Sequence, residues 1–270
     1  MNFERTLQIL ILSLTVLSGG TSTAQSQANR PVRLKVMSYN IHHANPPERT
    51  DGFIDLPAIA RVIRSSDPDL VALQEVDVNT IRSGKGVHQA RELAALTGMH
   101  FFFAKAIDHE GGDYGVAVLS KFPPVDSLRL PLPLPENVKG EPRTLAAVAI
   151  EPRKGDRIWF GSTHLDLTEA TRLFQCELIL KNLATKTDPV ILAGDFNAVP
   201  ESRELSRLSS AFTRTCNEDC PPTIPVIRPR KTIDFILYTQ EKRIKTLKHQ
   251  VISETYASDH LPVVAELSFD

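Results

Sequence analysis

The residues of this chain that could do chemistry are acidic, amide and histidine side chains at the ends of apolar runs. Three such runs lie in the last third of the sequence: Val190–Asn197, Thr232–Leu237 and Ser258–Val264. Each places Asp, Asn or His where a buried strand would reach solvent. Carboxylate and amide oxygens bind divalent cations, and such cations support the hydrolysis of phosphate esters. The pattern predicts a metal-dependent phosphoesterase site at one edge of a β-rich scaffold.

Side chains of the same kinds end the earlier strands as well. Asp195 and Asn197 are two residues apart, so in an extended segment they point the same way. A single Asp or Asn at a strand end is an ordinary turn residue, whereas six such ends argue for a site. The six ends carry Asn40; Glu75; His164; Asp195 with Asn197; Asp234; and Asp259 with His260.

The elements that must position these residues alternate between strands and helices. Helical spacing is found at Leu56–Arg64, Gln89–Leu96 and Thr168–Leu183. Many strands with few helices favour two packed sheets with the helices outside. The predicted strands are Val32–Tyr39, Leu70–Leu73 (ending at Gln74 and Glu75), Phe101–Ala106, Gly115–Leu119, Leu145–Ile150, Arg157–Ser162, Val190–Ala193, Thr232–Tyr238, Leu247–Ser253 and Pro262–Leu267.

The N-terminus has the order of a secretory signal peptide: Arg5, the apolar run Leu7–Leu17, then small residues. The run is shorter than the ~20 residues that a membrane span needs. We predict a signal peptide over residues 1–24, with cleavage after 28 as the later alternative, and one domain over residues 30–270. A buried helix or a membrane anchor is the competing interpretation. No later stretch is long enough to span a bilayer. The signal-peptide pattern predicts a secreted or periplasmic protein, and we expect it to be a monomer.

Charge and cysteines restrict the function further. Lys and Arg number 31 against 32 Asp and Glu, so the surface as a whole does not attract nucleic acid. The basic cluster Arg228, Arg230 and Lys231 is either a solvated loop or a contact to substrate phosphates. Cys216 and Cys220 either close a small disulfide loop or are free thiols, and Cys176 is expected in the core. No second Cys/His pair has the spacing of a zinc site.

Seven short motifs carry a resemblance to a known family. In order they are SYNIH (Ser38–His42), LQEVD (Leu73–Asp77), GVAVLSKFP (Gly115–Pro123), STHLD (Ser162–Asp166), GDFN (Gly194–Asn197), IDFIL (Ile233–Leu237) and SDHLPV (Ser258–Val263). Over Val32–Asp270 the chain resembles the endonuclease/exonuclease/phosphatase superfamily of metal-dependent phosphohydrolases. The resemblance implies an α/β fold, a four-layer α/β sandwich of two packed mixed β-sheets flanked by helices, with the site at one rim.

The resemblance also implies roles for individual residues. Glu75 is the expected principal ligand of Mg²⁺, for which Mn²⁺ can substitute, with Asn40 and Asp259 as further ligands. Asp195 is expected to deprotonate the attacking water. The remaining expected roles are Asn197 holding that water or a phosphoryl oxygen, His260 paired with Asp234 beside the phosphorus, His164 as a phosphate contact, and Tyr114 and Arg143 as substrate-binding residues. The chain departs from the family at Val116, where many members have Asn.

Three functional hypotheses follow. The first is a secreted Mg²⁺-dependent phosphoesterase acting on a phosphodiester or phosphomonoester in a small molecule or a lipid or sugar head group. The second is a secreted nuclease acting on DNA or RNA, which the near-neutral charge disfavours. The third, from another class, is a catalytically silent phosphate-binding module, against which the intact Glu75, Asp195, Asp234 and His260 argue.

Overall fold

Two six-stranded sheets form the scaffold of the protein. The computed structural model describes residues 31–183, 185–240 and 243–269. The strands are β1 Val32–Asn40, β2 Leu70–Val78, β3 His100–His109, β4 Gly112–Ser120, β5 Asp126–Leu132, β6 Arg143–Ile150, β7 Ile158–His164, β8 Val190–Asp195, β9 Phe212–Arg214, β10 Asp234–Thr239, β11 Ile244–Val251 and β12 Val263–Phe269. Sheet 1 has the order β11-β12-β1-β2-β4-β3, and sheet 2 has the order β5-β6-β7-β8-β10-β9.

The two sheets share one arrangement, which places the site. In each, a parallel pair lies at the centre, β1 with β2 and β7 with β8, and the other paired strands run antiparallel. A parallel connection needs a crossover, usually a helix. The crossovers here contain α1, Leu56–Ser66, and α3, Glu169–Leu183; the other helices are α2, Gln89–Thr97, and α4, Arg203–Leu208. The carboxyl ends of each parallel pair therefore meet at one edge of their sheet.

Three separate apolar cores show that the layers number four. One core contains the facing sides of both sheets, including Val36, Val148 and Phe160. A second joins sheet 1 to α1 and α2, and a third joins sheet 2 to α3 and α4. This is a helix–sheet–sheet–helix sandwich, so the predicted fold class is confirmed.

Local sequence signals explain the helix bounds. Asp55 caps α1 by accepting a hydrogen bond from the Ala58 N–H at 2.9 Å. Gly98 ends α2 in the left-handed conformation at φ 70°, which glycine adopts without a steric penalty. The apolar side chains of α1 lie on one face against sheet 1.

The predicted elements are all present, and two strands, one α-helix and the short 3-10 helix His42–Ala44 were missed. The sequence did not predict β5, because Pro131 interrupts its alternation; β5 is an edge strand, where a proline is tolerated. The short β9 and α4 carry too few residues for a periodic signal. The prediction that β2 ends at Gln74 and Glu75 was wrong: the strand continues to Val78 through an irregularity in register between Leu73 and Val76.

Cys216 and Cys220 form a disulfide, and Cys176 is a free, buried thiol in the third core. The predicted signal peptide, residues 1–24, lies outside the described residues. Within the described part of the chain, no helix is both long enough and apolar enough to cross a membrane. Arg228, Arg230 and Lys231 are exposed on the loop before β10.

Candidate active site

One amide joins the two sheets at the candidate site. The side-chain nitrogen of Asn40, at the end of β1, donates to Glu75 Oε1 at 3.2 Å and to Asp195 Oδ2 at 3.1 Å. Asn40 belongs to sheet 1 and Asp195 to sheet 2, so this side chain spans the gap between the sheets. Its own oxygen accepts the His42 N–H at 3.1 Å. Asn40 would have to turn its amide to present oxygen to a cation at Glu75.

Strand register brings the groups of sheet 2 together. His164 lies opposite Asp195 across the parallel pair, and Asp195 lies opposite Asp234 across β8 and β10. The close approach of β7 and β8 requires Gly194, because a Cβ at that position would lie 2.0 Å from the Thr163 carbonyl oxygen. The glycine of the GDFN motif thus fixes the position of the acid that follows it.

Asp195 is buried among both charged and neutral partners. Its Oδ1 accepts the Asn197 N–H at 2.8 Å, and its Oδ2 lies 3.6 Å from His164 Nε2 and 3.7 Å from His260 Nε2. Burial, and then the charge of Asp234, raise the pKa of Asp195 to about 7. A carboxyl group with that pKa can accept a proton at neutral pH.

A second buried pair lies beside it. His260 Nδ1 is 2.9 Å from Asp234 Oδ2, and Thr223 donates its hydroxyl to the same oxygen at 2.5 Å. Burial lowers the pKa of His260, but the Asp234 charge and hydrogen bond outweigh it and raise the pKa to about 10. The imidazole is therefore held as a cation, with its other nitrogen turned toward Asp195.

Glu75 has a different setting. It lies at the irregularity in β2 with φ 56°, in the left-handed region, and 22% of its side chain is exposed. Burial raises the pKa of Glu75, but the nearby His43 imidazole and the Asn40 amide lower it by more, to well below its usual range. Glu75 is thus an ionised carboxylate that solvent and ions can reach.

His164, Tyr114 and Arg143 line the same region. Burial, followed by the Arg143 charge, lowers the pKa of His164 to about 3, so its imidazole is neutral, and its Nδ1 has no hydrogen-bond partner among the described residues. Arg143 is buried and bonds Glu141 Oε1 at 2.8 Å through Nη1, and its Nε has no partner in the part of the chain that the structure describes. Burial, then the Glu75 charge, raise the pKa of Tyr114.

The remaining predicted residues lie farther from the carboxylates or have structural bonds. Asn197, with φ 48°, donates its side-chain N–H to the Leu165 carbonyl at 2.9 Å. Asp259 is half-buried and belongs to neither of the metal-ligand clusters formed by the described His, Cys, Asp and Glu residues. The roles expected for both stay predictions.

Sequence reasoning gave no role to Thr223 or Asp77, two groups that support the site. Thr223 precedes its partner Asp234 by 11 residues, a spacing that belongs to no recognisable pattern. Asp77 is fully buried and accepts both Arg82 Nε at 2.8 Å and Arg82 Nη2 at 2.9 Å. The Arg82 guanidinium lies 5.5 Å from the centre of the Tyr114 ring. Arg82 is therefore fixed beside Tyr114 by its two bonds to Asp77.

The donor set fits a divalent cation. One cluster combines Glu75 with His42 and His43, and a second combines Asp195, Asp234 and His260, with the ligand atoms of each cluster within 4.8 Å of one another. In the second cluster the negative charge of Asp234 is already balanced by the His260 cation that is bonded to it. The accessible, ionised Glu75 has only one ion-pair contact among the described residues, to His43 Nδ1 at 4.0 Å. A cation there would lie across from a proton acceptor, Asp195, and a positive imidazole.

Comparison with known proteins gives one consistent result. The model of the endonuclease/exonuclease/phosphatase family matches residues 37–260. Nocturnin of Xenopus laevis is 26% identical over 301 residues, covering 92% of this chain and 75% of Nocturnin. The crystal structure of an endonuclease/exonuclease/phosphatase from Beutenbergia cavernae DSM 12333 is 26% identical with a TM-score of 0.70, covering 89% of this chain and 72% of that one. A mannosyl-6-phosphatase from Bacteroides thetaiotaomicron VPI-5482, 19% identical, has the same fold with a TM-score of 0.72, covering 87% of this chain and 100% of that one.

Proposed function

The chain belongs to the endonuclease/exonuclease/phosphatase family, whose members are metal-dependent phosphoric ester hydrolases, and from this premise we propose that it is a Mg²⁺-dependent phosphoesterase of small phosphate esters. The single observation that carries the proposal is the pair of opposed carboxylates, Glu75 ionised and accessible, Asp195 buried with a raised pKa. Hydrolysis needs both an anchor for a cation and an acceptor for the proton of water.

Three side chains have separate roles in the proposed hydrolysis: Asp195, His260 and Asp234. Asp195 takes a proton from the attacking water, and the Asn197 N–H orients its carboxylate. The His260 cation, held by Asp234, stabilises the negative charge that develops on the phosphoryl oxygens. The divalent cation, held by Glu75 with Asn40 and Asp259 as further candidate ligands, would neutralise phosphate charge and orient the ester; Mn²⁺ can replace Mg²⁺ in that role.

The wall at Tyr114 supports a compact anionic substrate. Arg143 is buried with a free Nε, and the neutral His164 offers a hydrogen bond rather than charge. Arg82 adds a second guanidinium beside the Tyr114 ring, fixed by the buried Asp77. These groups suit a phosphorylated small molecule or a lipid or sugar head group. A solved structure of the same fold is named a mannosyl-6-phosphatase, and a phosphosugar is among the substrates that we propose for this chain.

The second candidate is a nuclease. The chain carries no excess of basic residues, 31 against 32 acidic ones, and a polyanion as long as DNA is bound by many Lys and Arg contacts. Arg228, Arg230 and Lys231 are exposed on the loop before β10 and are the contacts that we would expect such a substrate to use. A silent binding module is the third candidate, but it would not need the raised pKa of Asp195.

We propose export to a secreted or periplasmic location. The Cys216–Cys220 disulfide supports this location, since disulfides persist in oxidising compartments. N-terminal sequencing of the mature protein tests it: the first residue should lie near Gln25 or Asn29. An intact Met1 would contradict export by cleavage.

A substrate panel tests the function. Bis-p-nitrophenyl phosphate, p-nitrophenyl phosphate, inositol phosphates, sphingomyelin, DNA and RNA are each incubated with the chain, with and without Mg²⁺, and again after EDTA. We expect Mg²⁺-dependent hydrolysis of a small ester, lost in EDTA and restored by Mg²⁺. Faster cleavage of DNA or RNA than of any small ester would favour the nuclease, and full activity after exhaustive chelation would overturn the metal mechanism.

A further inference from the structure

The turn after β1 holds two adjacent histidines in an unusual conformation. His42, His43 and Ala44 all have left-handed backbones, with φ of 46°, 42° and 60°. Non-glycine residues rarely adopt this region, and three in succession are held only where the surroundings fix them. Here the Gln89 side chain donates to the His43 carbonyl at 2.7 Å, and the His42 N–H is bonded to Asn40. In this turn a ring nitrogen of each imidazole lies within 4.8 Å of a Glu75 carboxylate oxygen.

His42 presents one nitrogen for coordination. Its Nδ1 lies 2.8 Å from the carbonyl oxygen of Asn45, which can accept only an N–H. This bond fixes the tautomer with the proton on Nδ1, so Nε2 keeps its lone pair. A backbone carbonyl on one imidazole nitrogen is the arrangement that commonly orients a histidine ligand toward a metal.

His43 has a ring nitrogen that lacks a hydrogen-bond partner in the described structure. Its Nδ1 is buried and has no hydrogen-bond partner among the described residues. The nearest carboxylate oxygen is Glu75 Oε2, at 4.0 Å, which is too far for a hydrogen bond. A cation between the two would satisfy both. One ligand atom from each of His42, His43 and Glu75 lies within 4.8 Å of the others.

The two oxygens of Glu75 face different ways. Oε1 accepts from Asn40 on the side of Asp195, whereas Oε2 faces His43. We propose that His42, His43 and Glu75 Oε2 form a second cation site, and that Glu75 bridges it to the Mg²⁺ position on the Asn40 side. Imidazole ligands suit Mn²⁺ and Zn²⁺, whereas Mg²⁺ takes oxygen. The inference rests on the proposed function only through the shared Glu75.

Manganese binding without substrate tests the site. Mn²⁺ is titrated into the metal-free chain by calorimetry, and the saturated sample is measured by pulsed EPR for coupling to ¹⁴N of imidazole. We expect two Mn²⁺ per chain and a nitrogen coupling. In the double variant His42→Asn/His43→Asn, one of the two Mn²⁺ sites should lose at least about tenfold in affinity, and the nitrogen coupling should disappear. Asn is chosen because it tolerates the left-handed backbone.

The exposed His100 in β3 supplies the matched control. His100→Asn should leave both Mn²⁺ equivalents and the coupling unchanged, while Glu75→Gln should weaken both sites because it is shared. Saturated wild-type protein without nitrogen coupling would overturn the proposal, and so would a double variant that binds Mn²⁺ like the wild type. Ester hydrolysis with Mg²⁺ but no nitrogen coupling would overturn the second cation site and support the proposed function. Nitrogen coupling without hydrolysis would support the second cation site and count against the proposed function.

Discussion

Glu75 and Asp195 accept hydrogen bonds from the same Asn40 nitrogen, yet their surroundings move their pKa values in opposite directions. Glu75, from sheet 1, is one-fifth exposed, and its nearest groups are an amide and imidazoles, which favour the charged form. Asp195, from sheet 2, is fully enclosed, and its neighbour Asp234 is an acid, which favours the proton. One amide therefore links a permanent anion to a proton acceptor.

The difference indicates that sheet 1 supplies the ligand of a cation and sheet 2 supplies the proton acceptor. On the sheet 1 side, a strained turn and an irregular strand leave a carboxylate accessible to ions. On the sheet 2 side, regular strand register packs His164, Asp195 and Asp234 side by side and excludes water. Exposure favours exchange of a cation, and burial favours a shifted pKa. Four measurements test whether the two carboxylates have these separate roles.

The largest effect should come from Asp195→Asn. The substitution removes the proton acceptor, so kcat should fall by roughly 10²- to 10⁴-fold, while Mg²⁺ affinity measured by calorimetry changes little. Glu75→Gln should show the opposite balance, with weakened Mg²⁺ affinity as its main effect. The control is Asp126→Asn, which removes only an exposed ion pair with Arg157. If Asp195→Asn weakened metal binding as much as Glu75→Gln, the two carboxylates would not have separate roles.

His260→Ala should come next, with kcat lowered by roughly 10²-fold through the lost charge beside the phosphorus. The double variant with Asp195→Asn should lose much less than the product of the two single losses, because both groups serve one transition state. Asp234→Asn should behave as a milder His260→Ala, since the imidazole remains. Steady-state kinetics on the best substrate of the panel measures all three. A folded His260→Ala protein with wild-type kcat would place the chemistry elsewhere.

The pH profile should follow Asp195. Its pKa is raised to about 7, and it accepts a proton only when ionised, so kcat/KM should rise as pH increases through about 7. His260 acts as a cation, and its pKa is raised to about 10, so activity should fall again only near that pH. The acidic limb should be absent from the residual activity of Asp195→Asn. An acidic limb that survives the substitution would assign it to another group.

The smallest effect should come from Thr223→Val. The hydroxyl of Thr223 bonds the buried Asp234, and its loss should lower the free energy of unfolding by about 1.5–3 kcal/mol. Because Asp234 and His260 remain in contact, kcat should fall less than in His260→Ala. Urea denaturation and steady-state kinetics measure the two quantities, with Thr223→Ser as the control that keeps the hydroxyl. Equal stability of the Val and Ser variants would show that the bond does not hold Asp234.

The sequence predicted the fold and named residues of both sheets that the structure brings together, but it did not predict the local backbone geometry at Glu75 and His42. Regular strands carry a periodic signal, so Asp195 and His164 could be placed at strand ends from their motifs. The irregularity at Glu75 and the left-handed turn at His42 have no such signal, since their residues are not glycines. The support from Thr223 to Asp234 crosses between segments that only the tertiary structure brings together.

The order of strands has a consequence for when the protein can fold. β1 pairs on one side with β2 and on the other with β12, and Ser258 bonds the Asn40 carbonyl across 218 residues. Sheet 1 therefore lacks a central neighbour until nearly all of the described chain has been synthesised. Contacts so distant in sequence form slowly because the loop between them must first close. The chain should emerge from the ribosome with its second sheet able to form and its first still open. Glu75 and Asp195 should then meet only when the last strand docks, which keeps the nascent protein inactive.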